Sequence, residues 1–288
     1  MKNFCIVSNS YKDEELKLAN SISQYIRDLG GECFVVDNVD ISTGEFKILD
    51  YREFPDSLEC VISIGGDGTL LHAAKDLSTL DVVFVGVNKG TLGFLAEISP
   101  DNVKEAVDKL LSERFNVESR MMLKGEIIRD NRVVFVSTVL NDIVIHRGGD
   151  MAITSYDVFV NGQRLGTFEA DGLILSTPTG STAYNLSAGG PVARPDSHII
   201  MLTPICPHTL TNRSIIFSQD DEIEVKIGKS RTPNEEKRKA AFDGDGIFNI
   251  ITDDIIRISK ARETTEVAKL DEGSFLQAIK DKIGRAHV

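Results

Sequence analysis

Residues Val82-Val-Phe-Val-Gly-Val87 carry no polar side chain. Such a run lacks the alternation of a half-exposed strand. It is the pattern of a strand covered on both faces, and strands of that kind belong to parallel sheets with helices on each side. The neighbouring pattern agrees. Phe4-Cys-Ile-Val7, Cys33-Phe-Val-Val36 and Val61-Ile-Ser-Ile64 are short apolar runs. Between the first two, Leu16, Ala19, Ile22, Ile26 and Leu29 recur every three or four residues as a helix stripe, which Gly30-Gly31 closes. Leu70 to Leu77 and Asp101 to Leu111 read as further helices, and 37–57 as an acidic, irregular loop. The resulting β-α-β-β-α-β order predicts a doubly wound parallel sheet.

After about residue 118 the helix signals stop. Met122–Ile128, Val133–Ile145, Ser155–Val160, Leu173–Ser176, His198–Leu202, Ile215–Phe217, Ile223–Ile227, Ala240–Phe242 and Ile255–Ile258 read as strands, with Asn161-Gly162 as a hairpin turn. The fold class expected is α/β plus β. An α/β domain spans 1–118 and a β-rich, sandwich-like domain 119–261. A segment over 262–282, helical from Gly273, is expected to pack back on the first domain. Residues 283–288 match what sequencing-adapter read-through encodes in one frame, and are expected to be an assembly scar.

Composition narrows the function classes. The 288 residues hold 44 acidic and 32 Lys or Arg residues, a formal charge of −12. Nucleic-acid and membrane-surface binding need a basic footprint, so neither is expected. An anionic ligand stays open, because a few backbone amides bind phosphate without net positive charge. The four cysteines form no C-x-x-C pair, and Cys5, Cys33 and Cys60 sit in apolar strand-like runs, as buried reduced thiols do. No apolar run reaches the length of a membrane span, and a strand begins at once where a signal peptide would lie. A cytoplasmic location is expected.

Three stretches carry chemistry. Gly65-Gly-Asp67-Gly-Thr69 follows a buried strand and opens a helix, where parallel sheets bind ligands and helix amides favour phosphate. The glycines leave room for close approach. A carboxylate in a phosphate cradle needs a reason, so Asp67 reads as a proton acceptor, a metal holder, or the N-cap of the next helix. Asn141-Asp142 interrupts an otherwise apolar run. Asn141 offers a donor and an acceptor to a purine edge, and Asp142 accepts from ribose hydroxyls; a strand-end polar pair is the alternative. Asp171 to Gly190 is a strand running into a loop dense in hydroxyls and glycine, a nucleotide-contacting surface. His208, between Pro204, Pro207 and Leu210, is a weaker candidate. Neither His nor Cys shows metal-ligand spacing.

In this order, the motifs resemble the NAD kinase family. Ser176-Thr-Pro-Thr-Gly-Ser-Thr-Ala-Tyr184 with Ser187-Ala-Gly-Gly-Pro191 carries the resemblance most specifically. Asn88-Lys-Gly-Thr-Leu-Gly-Phe-Leu95 and Pro204-Ile-Cys-Pro-His-Thr209 add to it. The resemblance implies an ATP-dependent enzyme that phosphorylates the 2′-hydroxyl of the adenosine ribose of NAD. It also implies a Mg²⁺ or other divalent-metal requirement and a homodimer or homotetramer. It makes Asp67 the proton acceptor and places Gly65, Gly66, Gly68 and Thr69 at the phosphates. Asn141, Asp142, Asp171, Thr182, Ala183, Tyr184, Asn185, Leu186 and Ser187 match dinucleotide contacts, and His72 falls where a basic residue often lies near the ligand. The chain departs from the family pattern at Glu169, where a basic residue is frequent, at Asp245, where Gln is common, and over Gly148–Ala152, where a basic residue often follows. Two other readings share parts of the pattern: a lipid kinase of the diacylglycerol type, which has the same glycine motif, and a dinucleotide-binding regulator without catalysis.

Overall fold

A computed structural model describes the chain apart from residues 41, 91–92, 149–153, 209–212, 231–237, 271–274, 277–278 and 281–288. Two compact units emerge: Met1–Ser119 with Thr265–Val288, and Arg120–Thr264. The expected scar at 283–288 lies outside the described residues, as does most of the helix expected from Gly273.

The first unit opens with β1 (Asn3–Ser8), α1 (Lys17–Asp28), β2 (Glu32–Asp37), β3 (Cys60–Gly65), α2 (Asp67–Asp76), β4 (Val83–Asn88) and α3 (Val103–Leu111). The strands pair in parallel in the order β2-β1-β3-β4, the crossover expected of a doubly wound sheet. All of β3 is buried, and so is β4 after Val83. Ala19, Ile22 and Ile26 of α1 and Val103, Val107 and Leu110 of α3 pack on Phe4, Ile6, Ile62 and Val85. Ala19, Ile22 and Ile26 of the stripe, with partly buried Leu16 just before α1, face this core, whereas Leu29 at the C-cap is exposed. Cys5, Cys33 and Cys60 are buried and free, and burial pushes the thiols of Cys5 and Cys60 far above the usual range. The region 37–57 is more ordered than its composition suggests. Val39 and Phe46 form an antiparallel bridge, and Asp50 caps the turn Tyr51–Glu53.

The chain leaves the first unit along β5 (Asn116–Arg129). It continues through β6 (Arg132–Val139), β7 (Asp142–His146), β8 (Thr154–Val160), β9 (Gln163–Ala170), β10 (Gly172–Ser176), α4 (Tyr184–Ser187), β11 (Ile199–Ile205), β12 (Ile215–Ser218), β13 (Ile223–Ser230), β14 (Lys239–Phe242), β15 (Asp245–Asn249) and β16 (Ile255–Lys269). In the second unit, β12-β11-β10-β7-β14-β15 form one antiparallel sheet, and β13 pairs with β16 and β8. Leu123, Tyr156, Val158, Val225 and Ile256 from one side meet Ile143, Leu173, Leu175, Leu202 and Phe242 from the other in a shared core, which is the sandwich. Returning to the first unit, β16 pairs in parallel with β4 at Glu266 and Val267.

Some expectations differ. The run Val133–Ile145 is two strands, broken at Leu140-Asn141, so Asn141 and Asp142 sit at a bend and a strand start rather than inside one strand. Strand β16 is far longer than the Ile255–Ile258 expected. Its later residues mix charge and apolar character, which hides the continuation.

Candidate active site

In the first unit the glycine loop joins β3 to α2. The N-cap of α2 is Gly66, in extended backbone, and no side chain caps the helix. Asp67 is the first helical residue, so the N-cap alternative for its carboxylate does not hold. The carboxylate instead accepts three backbone N–H groups. Phe94 donates to Oδ2 at 2.8 Å, while Leu95 and Ala96 donate to Oδ1 at 3.2 and 2.9 Å. The signal for this lay in Asn88–Leu95, which the sequence marks as a motif without saying what it holds.

The donor segment has its own supports. Ile98 bonds backbone to backbone with Gly86 and Asn88 of β4, and Asn88 Nδ2 donates to the Ala96 carbonyl at 3.4 Å. Two glycines make the approach sterically feasible. A Cβ on Gly86 would stand 2.5 Å from Ala96 Cα, and a Cβ on Gly93 would stand 1.7 Å from Asp67 Oδ1. Gly65 is needed for a similar reason, since its Cβ would meet the buried Thr69 hydroxyl at 2.3 Å. His72, on α2, stacks on Phe46 with ring centroids 3.7 Å apart. The Phe46 ring also lies 3.8 Å from the Cβ position of Gly68. Residue spacing gives no hint of Phe46, because it comes from the irregular 37–57 region.

In the second unit the bend at Leu140–Asp142 has every backbone group assigned. The amides of Leu140, Asn141 and Asp142 donate to the Asp243 carboxylate at 2.7, 2.8 and 3.0 Å. The Leu140 carbonyl accepts from the Thr177 hydroxyl at 2.5 Å, the Asn141 carbonyl from the Thr177 amide at 2.9 Å, and the Asp142 carbonyl from the Asp243 amide at 3.0 Å. Gly180 packs so closely that a Cβ there would lie 2.2 Å from the Asn141 carbonyl oxygen. Asp142 is buried. Burial, and then the nearby charge of Asp243, push its carboxyl up to about 7.

Asp171 lies between Arg147 and His208. Arg147 places Nε 2.8 Å from Oδ1 and donates from Nη2 to Oδ2 at 3.2 Å, and His208 Nε2 is 3.6 Å from Oδ1. A basic residue thus follows His146 directly, at Arg147, and the stretch 149–153 lies outside the described residues. The 182–187 segment divides by exposure. Tyr184 and Ser187 are exposed, while Thr182, Ala183 and Leu186 are half-buried. Asn185 is fully buried; its amide donates to the carbonyls of Ser181 and Pro191, and its oxygen accepts from Thr203. It holds the loop closed from inside.

Comparison with known proteins identifies the family of the chain. The ATP-NAD kinase N-terminal domain matches residues 4–115 and the ATP-NAD kinase C-terminal domain residues 140–270. An NAD kinase of Lachnospira eligens is 42% identical over 98% of this chain and 100% of its own length. One from Agathobacter rectalis is 42% identical over 99% of both. Among solved structures, yeast NADH kinase in complex with NADH aligns with a TM-score of 0.84 at 24% identity, over 100% of this chain and 89% of that one. An NAD kinase from Archaeoglobus fulgidus in complex with ATP aligns at 0.76 and 21% identity, over 98% of each. These two matches establish the fold. With both domain models and near-full-length relatives in agreement, the chain belongs to the NAD kinase family.

Proposed function

We propose that the chain transfers the terminal phosphoryl group of ATP to the 2′-hydroxyl of the adenosine ribose of NAD, giving NADP and ADP. The observation that carries this reading is the state of Asp67. A carboxylate has about four lone-pair sites. Among the described residues the three amides occupy two on Oδ1 and one on Oδ2, which leaves one site on Oδ2 for an incoming hydroxyl. As the ribose oxygen bonds to phosphorus and the bond to the leaving ADP oxygen breaks, the hydroxyl proton passes to Oδ2. Phosphoryl transfer is mostly a matter of positioning and charge stabilisation, and a fixed acceptor supplies the first. Gly65, Gly66, Gly68 and Thr69 give the phosphates a surface without side-chain bulk, and His72 lies one turn further along α2. Asn141, Asp142, Asp171 and the residues Thr182–Ser187 serve the dinucleotide, with Asn185 shaping that segment from within.

Among the described residues no group of three or more His, Cys, Asp or Glu side chains gathers to hold a metal ion. A divalent ion would neutralise charge on the ATP phosphates as the phosphoryl group moves. Four free cysteines support a reducing, cytoplasmic location, and no helix among the described residues is long and apolar enough to cross a membrane. Self-association into a homodimer or homotetramer is supported by β6. Among the described residues this strand pairs only with β5, and it exposes Val133, Val134 and Val136 along that edge.

The test is Asp67→Asn. Loss of the proton acceptor lowers kcat by roughly 10²–10⁴ while NAD still binds. A folded variant that binds NAD and keeps most of its turnover removes Asp67 from the chemistry.

A further inference from the structure

Asp243 stands two residues before Asp245, in the stretch Phe242-Asp-Gly-Asp245. It occupies the two-residue turn between β14 and β15, where Phe242 pairs with Asp245 and both Asp243 (φ 55°) and Gly244 (φ 80°) are left-handed. That is the backbone of a type I′ hairpin, for which Asn-Gly and Asp-Gly are both favoured. The turn alone therefore gives no reason to prefer Asp to Asn. The reason lies across the sheet. The amides of Leu140 and of Asn141 with Asp142 approach the two carboxylate oxygens separately, Leu140 on Oδ2 and the other two on Oδ1. Only a side chain with two acceptor oxygens meets all three. An amide side chain has one, and would turn its NH₂ group against an N–H.

We propose that Asp243 is a positioning residue for dinucleotide binding. Its carboxylate sets the bend from which the side chains of Asn141 and Asp142 project, and so it acts on NAD through them. This rests on Asn141 and Asp142 being contacts to the dinucleotide. All three amides of the bend end on this one carboxylate. The bend's carbonyls are held by Thr177, by the Ser176 hydroxyl and by the Asp243 amide. Removing the carboxylate frees one side of the bend and leaves the hairpin turn in place.

The experiment measures the KM values for NAD and for ATP, and kcat, in Asp243→Asn, Asp243→Ala and Asn141→Ala. Asp254→Asn controls for general destabilisation of the same unit, because Asp254 is a buried partner of Arg129 in an unrelated ion pair. Asp243→Asn raises the KM for NAD about tenfold and Asp243→Ala further still, as loss of charge-assisted bonds implies. The KM for ATP stays within about twofold, and Asp254→Asn melts earlier without moving the KM for NAD. If the Asp243 variants leave the KM for NAD unchanged while Asn141→Ala raises it, Asp243 is a turn residue only and the proposal is overturned. If Asn141→Ala also leaves it unchanged, the premise fails and the proposal falls with it.

Discussion

Gly93→Ala puts the claim about Asp67 under a purely steric load. The added methyl group would sit 1.7 Å from Asp67 Oδ1, 2.3 Å from Cγ and 2.6 Å from Oδ2. Ordinary contact with a Cβ begins near 3.4 Å, so the carboxylate or the 93–96 segment must retreat by about 1.7 Å, the difference between 3.4 and 1.7. Bonds now at 2.8 to 3.2 Å cannot survive that displacement. Hydrogen bonds to a charged group contribute roughly 1.5–3 kcal/mol each. Asp67 is only half-buried, and water replaces part of the loss, so the net destabilisation is about 2–4 kcal/mol. The effect on chemistry is larger in proportion, because misplacing a reacting group by about 1 Å costs on the order of 10²-fold. Steady-state kinetics on the purified variant, with thermal melting on the same preparation, should show kcat down by at least about 10²-fold and a lowered Tm. Gly166→Ala, where a Cβ meets nothing within 4 Å, controls for the general effect of replacing glycine. A Gly93→Ala enzyme within a few-fold of the parent kcat would refute the idea that this latch places the carboxylate.

Two further predictions test other parts of the account. Asp142 holds a proton in the folded state that it releases in the unfolded chain between the ordinary carboxylate value of 3.8 and about 7. Its contribution is therefore present at low pH and is lost as pH rises to about 7, a span worth roughly 4 kcal/mol at 1.36 kcal/mol per pH unit. Asp142→Asn should flatten the stability profile over that window and melt higher than the parent at pH 8; parallel profiles for the two proteins would contradict the burial argument. For assembly, Val136→Lys on the exposed edge of β6 should shift sedimentation toward the monomer, and an unchanged distribution would assign self-association to another surface.

The parallel half of the fold was legible because both of its signals are local. Buried strands are unbroken apolar runs, and α1 shows a helix-period stripe that ends at two glycines. The sandwich was legible as a class but not in detail. Asn141 sits in a run apolar enough to read as one strand, and only its bonds to Asp243 and Thr177, at 102 and 36 residues' remove, reveal the bend. The site divides the same way. Asp67 stood out because a carboxylate among glycines needs an explanation. The three amides that hold it come from a segment 27 to 29 residues on, and backbone donors leave no residue-type signature. Asn185 was read as a contact because it lies inside the hydroxyl-rich motif, and its burial against Thr203 depends on a strand the motif does not contain. Phe46 and Asp243 stayed silent for the same reason: each works through a partner far along the chain.

The central claim is the reaction itself, and identification of the product tests it most directly. Purified protein is incubated with ATP, Mg²⁺ and NAD, and in parallel with ATP, Mg²⁺ and diacylglycerol vesicles. Phosphorus and proton NMR then locate any transferred phosphate. The account predicts NADP carrying its new phosphate on the 2′-oxygen of the adenosine ribose, formed in step with ADP, and no phosphorylated lipid. Transfer to the lipid, or NAD recovered unchanged from a folded protein that binds it, would contradict the account.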